Sequence, residues 1–225
     1  MPSGERAHTF LFADLAGFTA LTEAHGDEEA ADLVADFSEC ARRHLQDTDV
    51  EEVKLIGDAL MLRGEEATVA IRVAIGLRGE IEGRTSFPGL RIGMHTGAAV
   101  ERNGDWFGST VNTAARVAAL ASSGEIVLTE ATHDAAGDAD GIEFESLGRQ
   151  RLRNISEPVR LFRASLATES SSEGWPVDPV CQMAVDPRRA AGSLHHGERV
   201  FQFCSLECAG RFAARPEAYV QGPRS

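Results

Sequence analysis

The sequence predicts an α+β protein, with helices packed on one mixed or antiparallel sheet and a small cysteine-bearing segment after it. Three observations carry this. Residues 9–13 (T-F-L-F-A) form the continuous apolar run expected of a strand buried on both faces. From about residue 19 to 45 the period becomes helical, with Ala30, Leu33, Val34, Phe37, Ala41 and Leu45 on one stripe. Two turn dipeptides, Gly57-Asp58 and Asn103-Gly104, stand between short alternating segments as hairpin signals. The 225 residues allow one or two domains, and 43% hydrophobic with 25% charged residues describe a chain that folds rather than stays disordered.

The remaining elements follow in order. Gly26-Asp27 divides the helical stretch in two, with Asp27 expected as the cap of the second piece. Residues 51–56 and 59–62 read as strands flanking Gly57-Asp58, and residues 67–77 as a helix. Leu90, Ile92 and Met94 alternate with Arg91, Gly93 and His95, the two-residue period of a strand. An alanine-rich helix is expected over 110–121, and strands over 126–128, 144–147 and 158–163 complete the sheet. The polar tract T-E-S-S-S-E-G at 168–174 then marks a seam, giving a first domain over 1–167, a linker over 168–175 and a second domain over 176–225.

Charge and cysteine usage bound the function. Twenty-two Lys plus Arg against 35 Asp plus Glu give −13, which argues against nucleic acid or an anionic membrane as partner. A phosphate-bearing ligand stays compatible, because a metal ion and a few placed cations reverse the sign locally. No stretch approaches 18 uncharged apolar residues and the start (M-P-S-G-E-R-A-H) lacks an apolar signal core, so no membrane segment is expected. Clustered cysteines without a secretory signal read as thiols or metal ligands in a reducing compartment, taken as cytoplasm.

Three segments carry chemistry. F-A-D-L-A-G-F-T (12–19) is a strand ending in an acid, then a glycine turn into a helix. Asp14 is placed to hold a cation while the amides of Ala16, Gly17 and Phe18 face phosphate oxygens; alternatively Asp14 merely caps the helix. V-K-L-I-G-D-A-L (53–60) puts Asp58 at a hairpin tip, where two carboxylates from neighbouring strands can share a pair of divalent ions. G-D-W-F-G-S-T-V-N-T-A-A-R-V (104–117) sets Asn112 and Arg116 four apart on one helical face, a neutral donor beside a charged fork.

Together these segments resemble the nucleotidyl cyclase homology domain of class III adenylyl and guanylyl cyclases over roughly residues 7–166. The pattern F-x-D-x-x-G-F-T, K-x-x-G-D and D-x-x-G-x-x-V-N-x-A-x-R is filled at every position. The resemblance implies Asp14 and Asp58 as ligands of two Mg²⁺ or Mn²⁺ ions, Lys54 and Asp105 as the purine-selecting pair, and Asn112 and Arg116 as transition-state residues. It also implies a homodimer with each site shared across the two-fold interface. A lysine only donates and an aspartate only accepts, so the pair complements adenine and points to ATP, converted to cyclic AMP and pyrophosphate. Guanylyl cyclase activity, or a nucleotide-binding module without turnover joined to a metal-sensing tail, are the alternatives. His95 and Trp106 read as structural, and Arg153 in L-R-N-I-S stands where relatives often show a Lys-Gly pair.

The tail, about 176–222, resembles a YHS domain of the TRASH-like group. Twenty-two residues separate Cys181 from Cys204, and Cys208 follows four on. If Cys204 begins a helix, both thiols share one face, and a hairpin brings Cys181 over; such a set suits Zn²⁺ or Cu⁺. Gln182 replaces the glycine usual in relatives. His195 and His196, expected in a loop, are the candidates for a fourth ligand, and cysteines that only fill a small core are the alternative.

Overall fold

The computed structural model describes residues 6–168 and 175–220; most of the polar tract expected as a linker lies outside them. The elements run β1 (Ala7–Leu15), α1 (Phe18–His25), α2 (Asp27–Leu45), β2 (Glu51–Ile56), β3 (Ala59–Gly64), α3 (Ala67–Glu82) and β4 (Leu90–Ala98). They continue with β5 (Val100–Arg102), β6 (Asp105–Phe107), α4 (Ser109–Ala118), β7 (Ile126–Thr129), α5 (Glu130–Ala136), β8 (Ile142–Gln150) and β9 (Val159–Leu166). The tail holds β10 (Gly192–His196), β11 (Arg199–Phe203), α6 (Leu206–Ala214) and α7 (Glu217–Val220).

Seven strands form one sheet in the order β2-β3-β1-β4-β7-β9-β8. Neighbours are antiparallel except β4 and β7, which run parallel, so the sheet is mixed. The apolar run of β1 is explained by cover on both faces. Leu11, Ala13 and Leu15 join the larger core with Phe37 of α2 and Ile71 and Leu77 of α3, whereas Phe10 and Phe12 meet Met61, Ala114 and Ala118. Asp14 shares the alternation of Phe10 and Phe12, which puts it on the α4 side of the sheet.

Two expectations change in detail. Gly26, not Asp27, is the N-cap of α2; Asp27, Glu28 and Glu29 fill its first turn, where their charge complements the helix dipole. The seven-residue α5 is too short to leave a periodic signal, and it was not expected from the sequence. The Asn103-Gly104 hairpin forms with both residues at positive φ (55° and 77°), as its turn type requires.

Gly93 fixes how closely α4 approaches the sheet. A Cβ at this position of β4 would lie 1.9 Å from the Ala118 nitrogen and 2.3 Å from its Cα, so the helix backbone rests directly on the strand. The tail shares the larger core: Val180, Cys181, Met183, Phe203 and Phe212 pack in one apolar cluster with Leu21 and Phe87. It also bonds the segment before β4, Ser86 N–H donating to the Ala184 carbonyl (2.8 Å) and Ala184 N–H to that of Phe87 (2.9 Å). No helix among the described residues is long and apolar enough to cross a membrane.

Candidate active site

Asp14 lies near the end of β1, opposite Ala59 of β3 and Arg91 of β4. Its carboxylate pairs with the Arg91 guanidinium, and Asp58 at the tip of the β2–β3 hairpin reaches the same carboxyl group. Burial pushes the Asp14 pKa up to about 6; the neighbouring Asp58 acts in the same direction and Arg91 opposes it. Two facing carboxylates offer the hard oxygen donors that a divalent ion takes, and the charge they concentrate is the charge such an ion neutralises. The residues therefore fit the ions that the motif implies.

The turn after Asp14 forms as the sequence predicts, with one correction. Gly17 has φ +71°, the left-handed conformation a glycine adopts without strain, and α1 begins at Phe18. The Ala16 amide, expected to face phosphate, is instead buried and donates to the Gly89 carbonyl at 2.8 Å. That bond anchors the turn to the segment before β4 and takes the Ala16 amide out of the expected set, leaving Gly17 and Phe18 at the start of a helix whose first amides lack intrahelical acceptors.

Lys54 and Asp105, 51 residues apart in sequence, meet directly. Lys54 Nζ donates to Asp105 Oδ2 at 2.6 Å, and Asp105 Oδ1 accepts the Trp106 amide at 2.8 Å. The lysine bond holds the Asp105 carboxyl below its usual range. Lys54 is opposite Met61, hence on the same sheet face as Phe12 and Asp14. Trp106 packs edge-on against His8 and Phe10 under the Arg63 guanidinium, a structural position. His95 is likewise held in the fold: its Nδ1 lies 2.7 Å from Thr129 Oγ1, and burial lowers its pKa.

Asn112 and Arg116 stand one turn apart on the exposed face of α4, whose other face buries Thr113, Ala114, Val117 and Ala118. Neither side chain makes a hydrogen bond or ion pair among the described residues, which leaves both donors available to a ligand. The structure thus brings Asp14 to Asp58 and Lys54 to Asp105, each pair drawn from two separate segments of the chain, while Asn112 and Arg116 share one face of α4.

Residues 4–162 match the family described as the adenylate and guanylate cyclase catalytic domain. The chain belongs to this family. It is 39% identical over 175 residues to a pH-sensitive adenylate cyclase of Mycobacterium tuberculosis, covering 76% of this chain and 44% of that protein. It is 31% identical over 158 residues to an adenylate cyclase of Streptomyces griseus, covering 70% of this chain and 40% of the relative. The chain thus spans less than half the length of these curated relatives. Among solved structures, an adenylate/guanylate cyclase/hydrolase of Silicibacter pomeroyi matches with TM-score 0.63 at 27% identity, over 72% of this chain and 98% of that one. An adenylyl cyclase of P. aeruginosa shares the fold with TM-score 0.63 at 21% identity, over 74% and 97% of the two chains.

Beyond the cyclase domain, the three tail thiols converge. Cys204 Sγ lies 3.3 Å from Cys181 Sγ and 3.8 Å from Cys208 Sγ. Cys204 precedes α6 rather than starting it: Ser205 is the N-cap, its hydroxyl accepting the Cys208 amide at 3.1 Å. Buried Asp178 braces the cluster, Oδ1 accepting from Val180 N–H and Oδ2 from Cys204 N–H. His195 and His196 do not join it; they lie in β10, and His196 instead faces Glu217 and Phe212. Two residues that face the sites were not anticipated from sequence. In the sequence Arg91 shows only the alternation of a strand, and His25 only the period of a helical stretch.

Proposed function

We propose that the chain is an adenylate cyclase that converts ATP to 3′,5′-cyclic AMP and pyrophosphate in the cytoplasm. The observation that carries the reading is the convergence of Asp14 and Asp58 on the face of the sheet that α4 covers. Asp14 and Asp58 would hold Mg²⁺ or Mn²⁺ there, which would supply acidification of the ribose 3′-hydroxyl and neutralisation of charge on the triphosphate. The 3′-oxygen forms a bond to the α-phosphorus as the bond to the bridging oxygen breaks; pyrophosphate leaves with that electron pair and the hydroxyl proton passes to solvent. In this reading the Gly17–Phe18 amides bind phosphate oxygens, Asn112 orients the ribose, and Arg116 offsets charge developing on phosphorus, beside the ions that Asp14 and Asp58 would hold.

The Lys54–Asp105 bridge supports ATP over GTP. Its ammonium donates to adenine N1 and its carboxylate accepts from the 6-amino group, whereas guanine presents the reverse polarity at the same edge. Product analysis with Mn²⁺ and either ATP or GTP tests this: cyclic AMP as the dominant product supports it, and faster GTP turnover or no cyclic product refutes it.

One observation supports a homodimer with shared sites. Beside Lys54, apolar Leu55, Ile56, Val100 and Phe107 stay exposed, with Phe107 at 51%. A second copy covering this surface would complete the nucleotide site. Mixing Asp14→Ala with Arg116→Ala protein should then restore one working site per heterodimer; failure in well-mixed dimers removes the shared-site arrangement. The tail is read as a YHS-like module over 176–225 whose Cys181, Cys204 and Cys208 take Zn²⁺ or Cu⁺, tested by metal analysis of the wild type against Cys181→Ser.

A further inference from the structure

The thiol cluster is not confined to the tail. His25, the last residue of α1, points its Nε2 into it, 3.4 Å from Cys204 Sγ and 3.9 Å from Cys208 Sγ. The four ligand atoms all lie within 4.8 Å of one another. A tetrahedral zinc ion with Zn–S of ~2.3 Å and Zn–N of ~2.0–2.1 Å requires S···S separations of ~3.8 Å and S···N separations of ~3.6 Å. The S···S contacts of 3.3 and 3.8 Å and the S···N contacts of 3.4 and 3.9 Å lie close to those values. The imidazole is oriented as a ligand should be. Its other nitrogen, Nδ1, lies 3.4 Å from the Glu29 carboxylate one turn on, the outer-shell partner that fixes the tautomer with Nε2 free to coordinate.

The placement of the cluster gives it a consequence. The eight residues of α1 span ~12 Å at 1.5 Å per residue, and the tail holds this helix at both ends. At its C-terminal end are the His25 contacts and the Arg211 guanidinium, which donates to the Glu23 carbonyl at 2.7 Å. At its N-terminal end, a Cβ on Gly17 would lie 2.6 Å from Gln182 Cγ and 3.6 Å from the Cys181 carbonyl. Gln182, which itself adopts φ +63°, thus packs on the turn that opens the helix. One ligand is chain-adjacent to the residue covering that turn, and another terminates the helix the turn begins.

We propose that His25, Cys181, Cys204 and Cys208 form a four-coordinate Zn²⁺ site that clamps the tail to α1 and orders the turn at Gly17 and Phe18. As the ion enters, each coordinating thiol gives its proton to solvent, and three thiolates with a neutral imidazole leave the site at net −1. Three sulfurs with one nitrogen in a tetrahedral array select zinc over Mg²⁺ or Mn²⁺, which take oxygen ligands. The metal site stands on its own geometry. Only its effect on nucleotide binding rests on the cyclase reading.

The test uses the full chain, metal-stripped under reducing conditions and held in excess Mg²⁺ so that carboxylate sites are not titrated. Zn²⁺ is added against a chromogenic chelator, Co²⁺ replaces it in a parallel absorbance measurement, and amide hydrogen exchange is followed over residues 17–25. The wild type is expected to bind one Zn²⁺ per chain, and the Co²⁺ form to show tetrahedral d–d bands with thiolate charge transfer. His25→Gln should weaken Zn²⁺ binding by at least the ~10–100-fold that loss of an outer-shell partner already costs, and should alter the Co²⁺ spectrum. Zinc should slow exchange in α1 of the wild type and not of His25→Gln.

Equal zinc affinity in both proteins would remove His25 from the shell. A Cys181–Cys204 disulfide with no retained metal would overturn the site. Tight binding with unchanged exchange in α1 would overturn the clamp. Zinc binding with slowed exchange, in a protein that makes no cyclic nucleotide, would uphold the clamp while refuting the cyclase reading.

Discussion

Replacing Gly93 by alanine should displace the helix that carries Asn112 and Arg116. The added methyl would sit 1.9 Å from the Ala118 nitrogen and 2.6 Å from the Val117 carbonyl carbon, both backbone atoms of α4 that no rotamer change can move aside. Ordinary contact begins near 3.4 Å, so α4 must lift by about 1.5 Å at this point. The strand cannot retreat instead, because Gly93 is held between Phe12 of β1 and Val127 of β7. Overpacking of this kind costs about 1–3 kcal/mol. At about 2–4 °C per kcal/mol for a chain of this size, the melting temperature should fall by about 2–12 °C. The catalytic effect should be larger than the stability effect, since a misplacement of about 1 Å can cost ~10²-fold in rate. Thermal melting by circular dichroism and ATP turnover well below the melting point measure the two. Ala118→Gly should not rescue the variant, because the clash is with the main chain. A Gly93→Ala protein with wild-type melting and turnover within twofold would refute the argument that α4 rests on this glycine.

Three other outcomes are expected. Lys54→Ala should change the melting temperature little, because the pair is only half-buried and still open to solvent, while kcat/KM for ATP falls by about tenfold or more; steady-state kinetics with ATP and GTP check this, and an unchanged ATP preference would count against it. Glu80 bonds Arg43, Arg84 and His44, and these partners hold its pKa at about 2 against an ordinary 4.5. Its stabilisation is therefore fully present above pH 4.5 and lost as pH falls toward 2, so Glu80→Gln should flatten the fall of melting temperature across that window, and parallel curves would contradict it. Asp178→Asn should leave one of the Val180 and Cys204 amides without its acceptor, at a cost of about 1–3 kcal/mol, and should make the tail the first part cleaved in limited proteolysis.

The three segments that carry the candidate site were legible in the sequence because each is local, whereas the meetings of Asp14 with Asp58 and of Lys54 with Asp105 are made by the fold. A strand followed by a glycine turn, a two-residue hairpin with an acid at its tip, and two residues four apart on a helix are each specified within a dozen residues, and all three form as expected. The sheet was legible as mixed or antiparallel, and the pairing of β4 with β7 settled which. The short α5 left no trace because seven residues cannot establish a helical period.

What the sequence determined by itself was which residue types lie on which face of each element, since the periods of strand and helix are properties of the local backbone. What the tertiary structure decided was which faces meet. His25 lies 156 residues before Cys181, and nothing in its surroundings distinguishes it from any polar residue closing a helix; only the docking of the tail on α1 turns its Nε2 toward three sulfurs. Arg91 became the partner of Asp14, and the Ala16 amide was diverted to Gly89, through strand register and loop placement. Such contacts are fixed by the burial of apolar surface across the whole core, a collective term that no single segment encodes.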